Sequence, residues 1–312
     1  MTRYVLRRLV ALVPTWLGIS LAAFLLAGLA PGDPAQLILN AELNTPPSEE
    51  QLQQFRESNG LNDPAVVQYG RFVLGLLQGE LGTSFRSGDP VLGELVDRVP
   101  ATLSITLPAF VLALFLAVSI GVLSAVRRNS LVDHGSRLAA LMSDSVPTFV
   151  LAYALIIVLA VQAGLLPVAG RGTWQHLVLP VLTLALGTTA SLMRLTRSSM
   201  LEVLGEEYVR TARAMGFPSR SVVLRHALRN ALLPVVTVAG IVLAGFVTGA
   251  IIVETIFALP GVGTFVVDAI FARDYPVIQG FVVFTGTVFL LVNLVVDLLQ
   301  AALDPRIRLV HQ

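Results

Sequence analysis

The chain has 312 residues, of which 55% are hydrophobic and only 13% charged, with a mean hydropathy of +0.78. Soluble domains carry about 25% charged residues, so this chain lacks the polar surface that water demands, and lipid is the solvent for most of it. Net charge is +1, every basic residue is an arginine and cysteine is absent, which excludes a disulfide framework, thiolate chemistry and, for want of a lysine, a P-loop nucleotide site within the chain.

A helix needs about 20 apolar residues to cross the hydrocarbon core. Runs of that kind occur at 9–30, 101–126, 138–163, 177–193, 231–253 and 277–296, and backbone groups in lipid must be satisfied internally, so these are predicted as six helices. The first follows Arg3, Arg7 and Arg8 as a signal peptide would. Its apolar stretch exceeds the 7–15 residues of an h-region, however, and no small-residue cleavage pattern follows, so it is read as a retained span. The third contains Asp144 and the short fourth contains Pro180.

Arginines set the predicted orientation. With the N-terminus inside, Arg3, Arg7, Arg8, Arg127, Arg128, Arg137, Arg194, Arg197, Arg210, Arg213, Arg220, Arg225, Arg229, Arg306 and Arg308 fall on the cytoplasmic side. Arg56, Arg71, Arg86, Arg98, Arg171 and Arg273 remain outside. This positive-inside bias places both termini in the cytoplasm.

Between the first two spans lies an acidic segment, 31–98, that is predicted as a small helical cap outside the membrane. Ser48 with Gln51 forms a capping-box pattern, and Asp63-Pro64 and Asp89-Pro90 each set an N-cap before a proline at the first helical position. Val66, Tyr69, Val73, Leu76 and Leu77 fall near one face, which suits a helix lying on the outer surface. The predicted architecture is one all-α integral membrane domain with a small helical external insertion.

Catalytic constellations are missing. The four histidines, His134, His176, His226 and His311, fall in separate segments, so no shared metal site is expected. Gly261 and Gly263 lack the strand and third glycine of a dinucleotide turn. Asp144, Glu254, Asp268 and Asp297 lie in or near spans, where ionisable residues are functional candidates by default. Asp144, two helical turns from Arg137, and Asp297, at the inner end of the last span, are read instead as membrane-interface ion pairs with arginines. Glu254 and Asp268 flank the turn at Leu259, Pro260 and Gly261 and are expected to be wet. An ion-coupled secondary transporter, the rival of a different class, would need inverted repeats and mid-membrane acids, and neither is visible.

The basic segment 194–230 separates the fourth and fifth runs. A short helix is predicted over 206–215, stopped by Gly216 and Pro218. Ala212 and Gly216 are small and one turn apart, leaving room for another backbone. Ser219 is predicted to cap a second helix through Val222, Val223 and His226. The result is a helix–turn–helix lever, or alternatively an amphipathic loop on anionic lipid.

Here the sequence resembles a known family. EYVRTARAMG at 207–216 followed by HALRNALLP at 226–234 is similar to the coupling segment of bacterial ATP-binding-cassette importer permeases of the dipeptide/oligopeptide/nickel group. Further similar motifs are RRL at 7–9, PGDP at 31–34, LGTS at 81–84, RVPATL at 98–103, SVPTF at 145–149, ETIFALPGVG at 254–263, RDYP at 273–276 and DPRIR at 304–308. Where the wider importer motif begins Glu-Ala-Ala, this chain has Arg210, Thr211 and Ala212, the variant of the peptide group.

The resemblance implies a type I importer permease fold. Residues 1–30 would be the N-terminus and first span, 31–98 the cap, and 99–312 the permease core carrying the coupling loop 194–230. Glu207, Tyr208, Arg210, Thr211, Ala212, Gly216 and Phe217 would form the ATPase-coupling segment, with Gly216 making the turn and Ala212 and Tyr208 lying against the ATPase. Glu254, Pro260, Gly261 and Asp268 would lie near the face that meets a binding protein. Implied partners are a homologous second permease, two cytoplasmic P-loop ATPase subunits, an external solute-binding protein and membrane lipid, with no nucleic acid. No catalytic residue, cofactor or metal is expected in this chain, ATP and magnesium belonging to the ATPases. Implied solutes are dipeptides or oligopeptides, with nickel or glutathione as the alternative.

Overall fold

The computed structural model describes residues 2–28, 35–36, 39, 47–58 and 60–303. The predicted motif at 31–34 and the tail at 304–308 lie outside them. Among the described residues every regular element is helical, apart from a single β-bridge between Thr83 and Pro90. In chain order these are α1 (Thr2–Gly28), α2 (Glu49–Ser58), α3 (Ala65–Leu77), α4 (Val91–Val126), α5 (Leu131–Ser145), α6 (Thr148–Leu155), α7 (Gln175–Gly205), α8 (Glu207–Ala214), α9 (Ser219–Ser221), α10 (Leu228–Ile256), α11 (Val262–Ala272) and α12 (Tyr275–Leu303). Two π-helical stretches, Ile156–Gln162 and Val222–Ala227, extend α6 and bridge α9 to α10.

Among the described residues five helices are long and apolar enough to cross a membrane, matching five of the six predicted runs. The third run is different. It breaks into α5 and the α6–π segment, which meet at a bend of 106°. Pro147 causes the break: the residue before a proline is pushed out of the α region, and Val146 is extended at φ −98° and ψ 119°. The expectation of one continuous span over 138–163 is therefore corrected.

Proline also moves the predicted helix starts by one residue. Pro64, Pro147 and Pro218 each occupy the N-cap with ψ near 140°, and their carbonyls accept the first helical N–H groups. Pro90 likewise accepts from the Glu94 N–H. A proline at the N-cap loses nothing by lacking a donor. Asp63, Asp89 and Ser219 are thus not the caps predicted from sequence. The capping box at Ser48 and Gln51 does form, each side chain bonding the other residue's N–H at 2.9 and 3.3 Å.

The chain divides into two units that cut across sequence order. One comprises Arg7–Pro100 and Pro260–Leu290. Within it α3 turns Tyr69, Phe72, Val73 and Leu76 towards the protein, where Leu76 meets Ala23 and Val283, while Val66 and Leu77 point away at 81% and 70% exposure. The predicted surface-lying face is accordingly rotated. Tyr69 Oη bonds Ser20 Oγ at 2.9 Å, and Trp16 Nε1 donates to Thr287 Oγ1 at 3.1 Å.

The other unit comprises Met1–Leu6, Ala101–Leu259 and Leu291–Gln312. Its centre is α7, which packs on α5, α6 and α10. A seam of small residues at every fourth position of α4, Ala109, Ala113, Ala117, Gly121 and Ala125, is buried throughout. Apolar side chains gain little from leaving lipid, so helices in a membrane associate by close van der Waals fit, and small residues permit it. At Gly121 the fit is closest: a Cβ there would stand 2.7 Å from Thr196 Cβ and 2.9 Å from the Met193 carbonyl oxygen on α7.

Gly121→Val is expected to cost about 1–3 kcal/mol by overpacking, read as a lowered thermal midpoint in detergent. Gly135→Ala on α5, whose new methyl meets nothing within 4 Å, should leave the midpoint unchanged or raise it slightly. Equal midpoints for both variants would contradict the close approach of α4 and α7.

Candidate functional site

The basic segment after the fourth run is helical from its start. α7 continues through Arg194 and Arg197 to Gly205, and Glu206 both ends α7 and starts α8. Glu207 in the first turn of α8 and Arg213 in its last complement the helix dipole. The helix closes with a Schellman motif: the Gly216 N–H donates to the Arg213 carbonyl at 3.0 Å and the Phe217 N–H to the Ala212 carbonyl at 3.3 Å. That geometry needs a left-handed residue, and Gly216 supplies it at φ +81°.

Val209, Ala212 and Val222 are buried together against Val203 and Leu204, so the hairpin has a core of its own. Tyr208 Oη donates to the His226 carbonyl at 3.3 Å and accepts from Asn230 Nδ2 at 2.7 Å, bracing α8 to the start of α10. The Phe217 and His226 rings stand 5.4 Å apart. Of the coupling residues named from sequence, Glu207, Tyr208, Arg210, Thr211, Gly216 and Phe217 are exposed. Ala212 is not: at 3% exposure it fills the hairpin core and has no surface to offer a partner. Met215, not named from sequence, is 66% exposed beside the turn. The exposed tip is therefore Met215, Gly216 and Phe217.

A polar knot sits at the root of this hairpin. Arg197 on α7 donates from Nε to Asp133 Oδ1 at 2.6 Å and from Nη2 to Oδ2 at 2.8 Å, a bidentate fork. Ser124 on α4 donates to Asp133 Oδ1 at 2.6 Å, and the Asn129 N–H to Oδ2 at 2.9 Å. Asp133 has no exposed surface. Ser130 caps α5 by accepting from the Asp133 N–H at 3.3 Å. Sequence reasoning passed over Asp133, although Ser130 followed three residues later by an acid is a helix-start signature.

The other acids named from sequence fall in different places. Asp144 pairs with Arg194, not with Arg137, which is exposed. Both members of the pair are near 40% exposed, and Arg194 Nη1 is buried with no hydrogen-bond partner. Asp297 is half-buried on α12. Glu254, expected to be wet, is completely buried. Thr102 on α4 donates to its Oε1 at 2.5 Å, and its backbone carbonyl accepts from Leu259 across a left-handed Ala258. α10 simply runs further than the apolar pattern indicated, and α4 lies over its end.

In the unit containing α11, two motifs far apart in sequence meet. Asp274, from the run at 273–276, accepts from Ser84 Oγ at 2.6 Å and from the Phe85 and Arg86 N–H groups at 3.2 and 3.3 Å. Both Asp274 and Ser84 are buried. Arg273 is left-handed at φ 56° and ends α11 in a second Schellman turn, with the Asp274 N–H on the Ala269 carbonyl at 2.9 Å. An open cavity of about 420 Å³ adjoins this lock, lined by Arg86, Glu94, Arg98, Phe265 and Asp268. Arg98 is held by Glu94 at 2.9 Å and lies 4.0 Å over the Phe265 ring. Asp268 and Pro260 are exposed while Gly261 is buried as the N-cap of α11.

Comparison with known proteins covers nearly the whole chain. Residues 117–309 match the family described as Binding-protein-dependent transport system inner membrane component. Residues 1–106 match Binding-prot-dependent transport system membrane comp, N-term. The chain is 40% identical over 318 residues to Oligopeptide transport system permease protein AppB of Bacillus subtilis (strain 168), covering 98% of this chain and 99% of the relative. It is 42% identical over 308 residues to Glutathione transport system permease protein GsiC of Salmonella paratyphi A, covering 99% of each. It is 40% identical to the GsiC of Escherichia coli (strain K12), again over 99% of each.

Removing the Asp274 carboxylate would leave the buried Ser84 hydroxyl and the Phe85 N–H without this acceptor, and the Arg86 N–H with Ser84 Oγ alone. Asp274→Ala is expected to lose about 2–3 kcal/mol, measured as a fall in the thermal midpoint. Asp274→Asn, which keeps one acceptor oxygen, should fall between. A wild-type midpoint for Asp274→Ala would show that the contact carries no stability.

Proposed function

The chain belongs to the binding-protein-dependent transport system inner membrane component family, and from that premise we propose that it is one permease subunit of an ATP-driven importer of oligopeptides. It would form half of a translocation path with a homologous second permease, both termini lying in the cytoplasm. Two cytoplasmic P-loop ATPase subunits hold the ATP and magnesium, and an external solute-binding protein delivers the solute. The chain performs no chemistry on what it carries.

The observation that carries this reading is the hairpin. Its Schellman turn thrusts Met215, Gly216 and Phe217 out of a small self-contained core, and Tyr208 fastens that core to the start of α10. Force applied at the tip reaches a spanning helix through hydrogen bonds and buried contacts, with no floppy linker between. The arginines of the hairpin also fit the cytoplasmic side. Glutathione is a second reading, because relatives named for glutathione and for oligopeptide transport are similar to this chain to the same degree. Both solutes are small peptides with free carboxylates, so one path can serve either.

The test is purification of the tagged chain in mild detergent with its co-expressed partners, followed by reconstitution and uptake of trialanine or glutathione. A second permease and P-loop ATPase subunits should co-purify, and uptake should require ATP. Gly216→Trp should insert in the membrane yet lose at least about tenfold in uptake, because a side chain at φ +81° is strained and its bulk holds the ATPase off. Uptake that persists without the ATPases would return the ion-coupled transporter, and wild-type uptake by an assembled Gly216→Trp complex would remove the docking role.

A further inference from the structure

The knot at the root of the hairpin joins three helices at one carboxylate. Arg197 lies eight residues before the end of α7, about 12 Å from the hairpin at 1.5 Å per residue. Through Asp133 it grips the first turn of α5, and through Ser124, which it also reaches from Nε at 3.1 Å, the last turn of α4. Ser136 adds a bond from α5 to Ser124 Oγ at 3.3 Å. The Asn129 N–H that completes the carboxylate comes from a linker residue held left-handed at φ 63°.

α5 leads from this knot to the 106° bend at Pro147. Beyond the bend α6 packs on α7 and α10. α5 is thus a short arm with a charged clamp at one end and a proline corner at the other. Cohesion alone does not call for the clamp: an apolar pair of similar volume serves stability as well as a buried ion pair or better. What a bidentate fork adds is direction, because its two parallel bonds fix the angle between guanidinium and carboxylate planes.

We infer that Asp133 and Arg197 are positioning residues for transport, a clamp through which displacement of the ATPase-docking hairpin swings α5 about the Pro147 corner and so moves α6. The inference rests on the reading that the hairpin docks on an ATPase. It assigns to the clamp the link between hydrolysis and solute movement, beyond any share in holding the fold.

The experiment uses the reconstituted complex with its ATPases and binding protein, and trialanine or glutathione as the probe, whichever the wild type accumulates. The quantity read is solute moved per ATP hydrolysed. Asp133→Leu with Arg197→Met removes both charges and leaves neither buried alone. This pair should assemble with a thermal midpoint close to wild type and hydrolyse ATP at the basal rate, yet move at least fivefold less solute per ATP. Arg197→Lys keeps the charge, loses the fork and should fall in between. A wild-type ratio in the assembled double variant overturns the inference, the pair then being structural only. Should the double variant fail to assemble, a wild-type ratio in Arg197→Lys overturns it equally. Because Gly216→Trp tests docking without touching the clamp, loss of coupling there with none here separates a false clamp from a false docking role, and a wild type whose uptake ignores ATP sinks both.

Discussion

Close approach between α4 and α7 is the constraint from which the larger unit follows. In lipid, burying a leucine against another helix gains little over burying it among acyl chains, so association depends on how near two backbones come. α4 meets that demand with an alanine or glycine at every fourth position from 109 to 125, one stripe in the helical period. With α7 drawn in, α5, α6 and α10 gather around it. The same device recurs where Gly240 on α10 meets Val296 on α12, since a Cβ at Gly240 would run into the Val296 side chain.

On that frame the ends of helices do the shaping. Prolines at 64, 90, 147 and 218 sit where a helix begins, each offering its carbonyl to the first turn. Left-handed residues close others: Gly216 after α8, Ala258 after α10 and Arg273 after α11. Two of these three are not glycine and pay for the conformation with strain of roughly 1–2 kcal/mol. The strained turns coincide with buried carboxyl groups. Ala258 follows Glu254, whose carboxylate takes the Thr102 hydroxyl, and Arg273 precedes Asp274, which takes Ser84 and two backbone donors. Strain there is offset by hydrogen bonds made in places where water is excluded.

The hairpin between α7 and α10 combines both features. A glycine turn gives it a sharp exposed tip, and a proline start reverses the chain into the next helix. Its core is Val209, Ala212 and Val222. Tyr208 ties it to the start of α10, and Ala125, Met200, Ala227 and Ala231 cluster where α4, α7 and the following helix meet. The hairpin's exposed tip and the long apolar helices on either side of it are therefore parts of one continuous helical object.

Much of this was legible in the chain alone. Lipid imposes a length and an apolarity on every crossing, so five spans could be read directly, and the arginines, Gly216 and Pro218 marked the hairpin because charge and turn chemistry are local. The resemblance to importer permeases likewise rested on motifs visible residue by residue. What sequence could not assign was partnership. Asp144 chose Arg194 on α7 instead of Arg137 two turns away on its own helix. Glu254 was sealed by Thr102, 152 positions distant, and Ala212 turned inward against Val222. Asp133 acquires its partners, Arg197 and Ser124, from helices that only packing brings to it. Hydropathy and turn residues act within a few positions of themselves, whereas a buried charge is satisfied by whichever helix passes nearest, and that is decided only when the helices have packed.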